Sequence, residues 1–304
     1  MAPPSCFRLA LVLGGVLLTT LAAWSRRSSA ERTNLVYARA DGVPLTLDLD
    51  YPPSSRPSPH PVVLFAPPDG EWPRALKYEP RSRLLLDELT RHGYAVATIH
   101  YRLPGKHRFP APVEDGKAAV RWLRANAGRY HLDARRIGAV GVSSGGYGVC
   151  MLGTTGPADG LEGSGGNREE SSRVQAVVAM GAPAEFADRI WSHRLESLNL
   201  RPFLGGSFAD HPQRYERASP GAYASADDPP FLLFHSRDDL TVPVEMARAL
   251  ADRLRRAGVP VTLVEDNGIE HVWSGVKLER AIKQTLHFLD HYLRPRERTP
   301  SASR

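Results

Sequence analysis

The residues best suited to chemistry lie near the middle of the chain, where Ser143 stands between two glycines. Gly141-x-Ser143-x-Gly145 is the nucleophile-elbow pattern, in which a serine lies on a sharp turn from a strand into a helix. The residues two before and two after such a serine must be small, and glycine meets that need. The turn would raise the Ser143 hydroxyl above the sheet and direct the backbone N–H of Ser144 at an oxygen that becomes negative. Because short patterns recur by chance, this interpretation depends on partners elsewhere in the chain.

Those partners are sought downstream, after the later strands. A serine hydroxyl needs a base within hydrogen-bond reach, and the base needs an acid that orients it. Where a nucleophile elbow is used, the chain order is serine, acid, histidine. The apolar run 231–235 is followed by Asp238 and Asp239, and the run 261–265 is followed by His271. Position alone therefore proposes His271 as the base and either aspartate as the acid.

The elements that would position these residues alternate between strand and helix patterns. A hairpin around Asp41-Gly42 is predicted first, from strands at 35–39 and 45–50. Further strands are predicted at 62–66, 94–101, 137–142, 174–180, 231–235 and 261–265, and helices at 82–92, 113–127, 244–257 and 278–293. The alternation predicts an α/β fold with a mostly parallel sheet and helices on both faces. The Gly/Ser/Glu-rich stretch 153–172 is predicted to be a mobile insertion, and 185–218 to cover part of the site.

The two ends of the chain differ in composition from the centre. Residues 1–30 contain an apolar run, Leu9–Ala23, between basic residues, followed by small residues. This pattern predicts a signal peptide or an N-terminal anchor, with export favoured and a membrane role only if the segment is not cleaved. One domain is predicted for residues 31–294, and a disordered basic tail for 295–304.

Charge and cysteine content exclude some classes of function. The net charge is +6 over 304 residues, and residues 1–30 hold three arginines and no acid, which leaves +3 for the rest. Acids and arginines are interspersed, so no nucleic-acid partner is expected. Cys150 would be the single thiol once the leader is removed, and a buried structural role is expected for it.

The chain resembles bacterial feruloyl/acetyl-esterase-like α/β-hydrolases, the BD-FAE group, near the hormone-sensitive-lipase-type carboxylesterases. The resemblance covers nearly all of the chain after residue 30. It rests on Tyr101-Arg102-Leu103, Phe109-Pro110-Ala111, Glu114-Asp115, 119–123, 133–138, 225–231, and the motif residues that follow. The family's His-Gly-x-x-Asp-x-x-Val-Pro pattern falls on His235, Ser236, Asp239, Val242 and Pro243, and its Gly-x-x-His pattern on Gly268 and His271. The resemblance implies the α/β-hydrolase fold and selects Asp239, rather than Asp238, as the acid.

Two stretches depart from the family pattern. The family carries a His-Gly-Gly-Gly or His-Gly-Gly-Ala stretch before a tryptophan, but this chain has Pro-Pro-Asp-Gly-Glu-Trp at 67–72. Proline has no N–H to donate, so the expected oxyanion donors are the N–H groups of Ser144 and of Gly70 or Asp69. The Asp69 carboxylate would oppose a negative charge nearby. At 144–147, Ser-Gly-Gly-Tyr replaces the family's Ala-Gly-Gly-His and would change the wall of the site.

These features predict a secreted serine carboxylesterase without metal or organic cofactor. Ser143 is the expected nucleophile, His271 the base and Asp239 the orienting acid, and the substrate is expected to be a small-molecule or polysaccharide ester. Two alternatives stay open. One is a serine peptidase like the prolyl oligopeptidases, against which no propeller repeat precedes the domain. The other is a hydrolase scaffold used for binding, which the 67–72 stretch favours. Oligomeric state is left open by the sequence.

Overall fold

The computed structural model describes residues 31–54, 56–68, 80–102, 106–187 and 200–294. The predicted leader, the predicted tail, and the 69–79 and 188–199 stretches lie outside these ranges. Within the described ranges, every helix is too short or too polar to cross a bilayer.

One eight-stranded sheet organises the described chain. The strands are β1 (Glu31–Ala40), β2 (Val43–Asp50), β3 (His60–Ala66), β4 (Ala95–Ile99), β5 (Leu132–Val142), β6 (Ala176–Met180), β7 (Phe231–Ser236) and β8 (Val261–Asp266). Their order is β1-β2-β4-β3-β5-β6-β7-β8. β2 is antiparallel to both of its neighbours, β1 and β4, and all the other neighbouring pairs in the sheet are parallel. The predicted α/β fold with a mostly parallel sheet is therefore confirmed.

Helices cover both faces of this sheet. They are α1 (Pro80–Arg91), α2 (Ala111–Ala125), α3 (Ser144–Thr154), α4 (Leu200–Leu204), α5 (Pro212–Arg217), α6 (Val244–Arg256) and α7 (Gly275–Leu293). On one face, Ala118, Val149 and Leu250 bring α2, α3 and α6 against the strands. On the other face, Leu89 of α1 and Leu289 of α7 pack on the sheet. β3 and β6 are buried along their whole length, as expected for parallel strands that helices cover on both faces.

The stretch predicted to be a mobile insertion is instead tied to α2. Glu162 in this stretch forms ion pairs with both Lys117 and Arg121 of α2. Those two cations are 0% and 1% exposed, so each needs a compensating anion when it is removed from water. The Ser172 hydroxyl also donates to Glu162, at 2.7 Å. The prediction was wrong because a Gly/Ser-rich composition suggests a flexible segment but does not show that Glu162 pairs with Arg121, 41 residues earlier in the chain.

Cys150 lies in α3 and is fully buried, as expected for a structural thiol. Burial raises the pKa of its thiol well above the usual range. The side chain therefore packs as a small apolar group between the nucleophile helix and its neighbours.

Candidate active site

Ser143 lies on a strained turn between β5 and α3. Its backbone has φ 53° and ψ −121°, a left-handed conformation that is rare outside glycine. The Ser143 N–H donates to the carbonyl of Met180 at 2.9 Å, and its carbonyl accepts from the N–H of Tyr147 at 2.9 Å. The neighbouring strand and the first turn of the helix thus hold the residue in this conformation, as strain at a functional position requires.

The two elbow glycines are required by close backbone contacts. A Cβ on Gly141 would lie 2.3 Å from the carbonyl oxygen of Gly145. A Cβ on Gly145 would lie 2.0 Å from the carbonyl oxygen of Ala66 at the end of β3. Both positions fit the sequence interpretation, since no side chain can occupy that space without moving the backbone.

His271 connects the serine to the acid. Its Nε2 lies 2.8 Å from Ser143 Oγ, and its Nδ1 lies 2.8 Å from Asp239 Oδ2. The ring packs against Gly181 after β6, where a Cβ would come within 3.2 Å of Nδ1. The structure therefore brings together the three residues that the sequence proposed for catalysis, although their catalytic roles stay predictions.

Of the two candidate acids, the structure brings Asp239 to the histidine. Asp239 is buried, and its Oδ1 accepts the N–H groups of Thr241 at 2.7 Å and Val242 at 3.0 Å. Burial alone would raise the pKa of Asp239, but the hydrogen bonds from His271, Val242 and Thr241 outweigh it and hold the pKa below its usual value. Asp238 is exposed, and its N–H donates to the Gly268 carbonyl at 3.1 Å. Asp239 is thus ionised at neutral pH and positioned to orient His271.

A buried histidine beneath the acid was not proposed as a site residue. His235 donates from Nε2 to the Val242 carbonyl at 2.8 Å, and the same nitrogen lies 3.5 Å from Asp239 Oδ2. Burial lowers the pKa of His235, so the ring is neutral and carries one N–H. That N–H fixes the turn whose backbone N–H groups bind Asp239. The signal was present, because His235 opens the motif that selects this aspartate.

Ser236 is a second residue to which the sequence analysis gave no role, although it lies in the family motif. Its hydroxyl donates to the Glu270 carbonyl at 2.6 Å and accepts the indole N–H of Trp273 at 2.6 Å. Both partners flank His271 in the chain. Ser236 therefore joins the end of the acid-bearing strand to the loop that carries the base, where the family pattern has a glycine without such a hydroxyl.

The oxyanion donors are only partly described. Ser144 directly follows the nucleophile and is the first residue of α3. Asp69 and Gly70, the other predicted donors, lie outside the described residues. The described chain before them is fixed at Pro67, whose carbonyl accepts the Tyr101 hydroxyl at 2.6 Å.

An aromatic cluster covers the outer side of the nucleophile helix. Tyr147, where the family has histidine, is 2% exposed and packs against Phe186 and Phe203 at ring-centroid distances of 5.4 and 5.9 Å. Phe203 belongs to α4 in the segment predicted to cover the site, of which 188–199 lies outside the described residues. Tyr147 thus anchors this segment on α3 through its ring. Burial raises the pKa of its hydroxyl.

Two further observations concern the binding-scaffold alternative and metal binding. The binding-scaffold alternative expects His271 far from Ser143, whereas the two side chains lie within hydrogen-bond distance. In the described ranges, no group of three or more His, Cys, Asp or Glu side chains is arranged to hold a metal ion.

Comparisons with known proteins identify the family to which the chain is similar. The family model described as BD-FAE matches residues 47–254. Esterase LipC of Mycobacterium tuberculosis is 31% identical in an alignment of 207 residues that covers 65% of this chain and 49% of LipC. The probable carboxylic ester hydrolase LipM of the same organism is 31% identical over 228 residues, 72% of this chain and 51% of LipM. This chain thus spans about half the length of these curated relatives.

A solved structure supports the fold independently. A truncated carbohydrate esterase from gut microbiota superposes with a TM-score of 0.76 at 24% identity, covering 87% of this chain and 96% of that one. At this identity the likeness shows a shared fold. The order of the strands and this superposition together confirm the predicted α/β-hydrolase fold.

Proposed function

This chain belongs to the BD-FAE family of α/β-hydrolases, and we propose that it is a serine carboxylesterase that acts on short-acyl or carbohydrate-linked esters. The observation that carries the proposal is the continuous hydrogen-bonded path from Asp239 through His271 to Ser143, with the serine on a strained elbow. Such a path is what a weakly nucleophilic hydroxyl needs in order to attack an ester at neutral pH.

The proposed reaction has two halves. Ser143 Oγ attacks the ester carbonyl while His271 Nε2 takes its proton, and the tetrahedral intermediate then expels the alcohol, which receives that proton. An acyl ester on Ser143 remains. Water, deprotonated by His271, attacks this ester and releases the carboxylic acid and the free serine. Asp239 accepts the Nδ1–H of His271, which keeps Nε2 available as the base and stabilises the imidazolium that forms.

The proposed oxyanion hole consists of the Ser144 N–H and an N–H from Asp69 or Gly70. The loss of one such donor costs about a hundred- to a thousand-fold in rate in well-studied hydrolases. A carboxylate near the developing negative charge would oppose catalysis, and the sequence leads us to expect this of Asp69. An Asp69→Gly variant is therefore expected to be at least as active as the natural chain.

The substrate class is proposed from two sources. Relatives and a structural neighbour carry the names esterase, carboxylic ester hydrolase and carbohydrate esterase. In addition, Leu240 beside Asp239 and Ile269 near His271 are 72% and 59% exposed, on loops joined by the Asp238 to Gly268 hydrogen bond. We propose that these two apolar side chains contact the substrate, which would favour an uncharged acyl or alkyl group over a charged one.

Export is proposed on sequence grounds. The basic and apolar pattern of residues 1–30 is typical of a leader, and ester substrates attached to polysaccharides lie outside the cell. Fractionation of cells that express the full chain tests this part, since the protein should be recovered outside the cytoplasm.

The activity is tested by hydrolysis of p-nitrophenyl acetate by residues 31–304 beside a Ser143→Ala copy. Turnover that is lost in the variant, together with labelling of Ser143 by an organophosphate in mass spectrometry, is the expected result. A folded protein with no turnover above the variant and no label on Ser143 would refute the proposed nucleophile. Comparison of acetyl, butyryl and feruloyl esters then separates the substrate classes.

A further inference from the structure

A cavity of about 580 Å³ lies away from the triad and is not used by the proposed mechanism. Its lining includes Arg32, Tyr51, Arg129, Tyr130 and His131. The volume is typical of small-molecule sites, which range over roughly 300–1,000 Å³. The two arginines among its lining residues are exposed, so their charged ends are accessible to a ligand from solvent.

The cavity lies near the amino-terminal end of β5, whereas the triad lies at the carboxyl-terminal ends of the parallel strands. His131 immediately precedes β5 and Ser143 immediately follows it. Since a strand rises about 3.3 Å per residue, the 11 residues of β5 separate the two ends by about 35 Å. At the cavity's edge, Glu31 is paired with Asp50, and Asp50 is paired with Val96 at the start of β4. The first described residue of the chain is therefore at the cavity and far from the catalytic edge.

The charge of the cavity suits an anion. Among the residues that the structure describes, neither Arg32 nor Arg129 forms an ion pair with a carboxylate. The guanidinium of Arg129 lies over the Tyr130 ring, 5.4 Å from its centroid. The acids of this edge, Glu31 and Asp50, are not part of the cavity wall. Two uncompensated guanidinium groups in one cavity favour phosphate or carboxylate ligands, which they bind in a bidentate manner.

The sequence of residues 1–30 points to the source of this anion. Residues 1–30 join the domain one residue before Arg32, and their sequence holds the apolar run Leu9–Ala23 followed by Arg26-Arg27. An apolar run of this kind meets a membrane during export or anchoring, and as long as it stays attached it keeps this end of the domain near the lipid head groups. Tyrosine is also a residue that is enriched at the head-group level of bilayers.

We propose that this cavity binds the phosphate of an anionic phospholipid head group, with Arg32 and Arg129 as the anion ligands and Tyr51 and Tyr130 at the head-group level. Bound in this way, the domain presents its catalytic edge away from the membrane, about 35 Å distant. The enzyme would then take substrates from the aqueous side rather than from the bilayer. The proposal does not depend on the esterase reaction, because it uses no residue of the triad.

Vesicle flotation with residues 31–304 tests the proposal without the leader. The described sheet and its core lie wholly within residues 31–294, so this chain keeps the folded domain. Binding is expected to vesicles of phosphatidylcholine with phosphatidylglycerol and not to phosphatidylcholine alone. Each arginine near an anionic surface contributes about fivefold in affinity, so Arg32→Gln with Arg129→Gln should weaken binding by roughly twenty-five-fold.

The control variant carries Arg248→Gln and Arg280→Gln, which change the net charge equally. Both arginines pair with acids beside the end of β8, away from the cavity. Equal weakening in the two double variants would overturn the proposal in favour of nonspecific charge attraction. So would equal binding to neutral and anionic vesicles. Binding of soluble glycerol phosphate without vesicle binding would identify a free phosphate ligand instead and also reject the lipid. Circular dichroism and esterase activity verify that all variants are folded.

Discussion

Asp239 and its neighbour Asp238 offer a matched test of the proposed triad at the level of single residues. Asp239→Asn keeps the size of the side chain but removes the acceptor that holds His271 in the productive tautomer. We expect kcat to fall by about 10⁴-fold, with little change in KM. Asp238→Asn, on an exposed side chain one residue away, should retain nearly full activity. Steady-state kinetics on a chromogenic ester distinguishes them, and similar losses in both variants would contradict the assignment.

Ser236 permits a test of positioning rather than chemistry. Ser236→Ala leaves the buried indole N–H of Trp273 and the carbonyl of Glu270 without their shared partner. An unsatisfied buried polar group costs about 1–3 kcal/mol, so both the free energy of unfolding and kcat should fall. Ser274→Ala is the control, since that exposed hydroxyl contacts only the exposed carboxylate of Glu270.

The two Ser236 readouts separate a positioning role from a merely structural one. If Ser236 holds the base in place, kcat and the pH profile of kcat/KM change under conditions in which the variant is fully folded. Denaturant unfolding establishes those conditions. Reduced stability with unchanged kinetics would limit Ser236 to a structural role.

At the scale of elements, the elbow between β5 and α3 depends on how closely α3 approaches β3. Gly145→Ala introduces a methyl group 2.0 Å from the Ala66 carbonyl, so the first turn of α3 must move. A displacement of about 1 Å at a nucleophile can cost about 10²-fold, and a loss of at least that size is expected in kcat. Gly148→Ala lies in the same helix and meets nothing within 4 Å. That variant should keep activity and gain up to about 1 kcal/mol in stability.

The ion pairs between α2 and the stretch 153–172 provide a second test at this scale. Glu162→Gln leaves Lys117 and Arg121 buried without their anion. Removing one partner of a buried pair typically costs about 3–5 kcal/mol, because the remaining charge is not solvated. Glu169→Gln, in the exposed part of the same stretch, should be nearly neutral. Denaturant unfolding of both variants measures the difference, and equal stabilities would show that the stretch is not held by these charges.

At the scale of the whole molecule, the sequence predicted the parts of the fold that local sterics and chain order determine. The elbow follows from Gly141 and Gly145, since only these residues fit the turn. His271 could be located because the acid and the base follow successive parallel strands, whose carboxyl ends meet at one edge. The choice of Asp239 needed the family resemblance, because two adjacent aspartates in a loop are equivalent by position.

The remaining features depend on contacts that no local pattern specifies. Glu162 is an ordinary acid in a polar stretch until α2 places two buried cations beside it. Ser236 gains its role only when Trp273 and Glu270, more than 30 residues away, reach its hydroxyl. The cavity around Arg32 and Arg129 likewise forms from segments almost 100 residues apart. Such pairings are determined by the register of the folded sheet rather than by neighbours in the chain.

The stability of the whole domain is expected to depend on pH through Glu185. This carboxyl is 3% exposed, and a hydrogen bond with the backbone of Gly221 only partly offsets the effect of burial on its pKa. Burial raises its pKa from 4.5 to about 7, against the opposing effect of Arg253, whose guanidinium lies 3.6 Å from Oε2. Glu216 adds repulsion. The folded state therefore retains a proton that the unfolded state has already released between these two pH values.

The sign of this effect gives the last prediction. Because the folded pKa is the higher one, the stabilisation is complete below pH 4.5 and is lost as the pH rises through about 7. The shift corresponds to a loss on the order of 3 kcal/mol in the free energy of unfolding. Glu185→Gln stays neutral, so its stability relative to the natural chain should increase from pH 5 to pH 8, whereas exposed Glu279→Gln should show no such trend. Denaturant unfolding at both pH values measures this, and a constant difference between Glu185→Gln and the natural chain would contradict it.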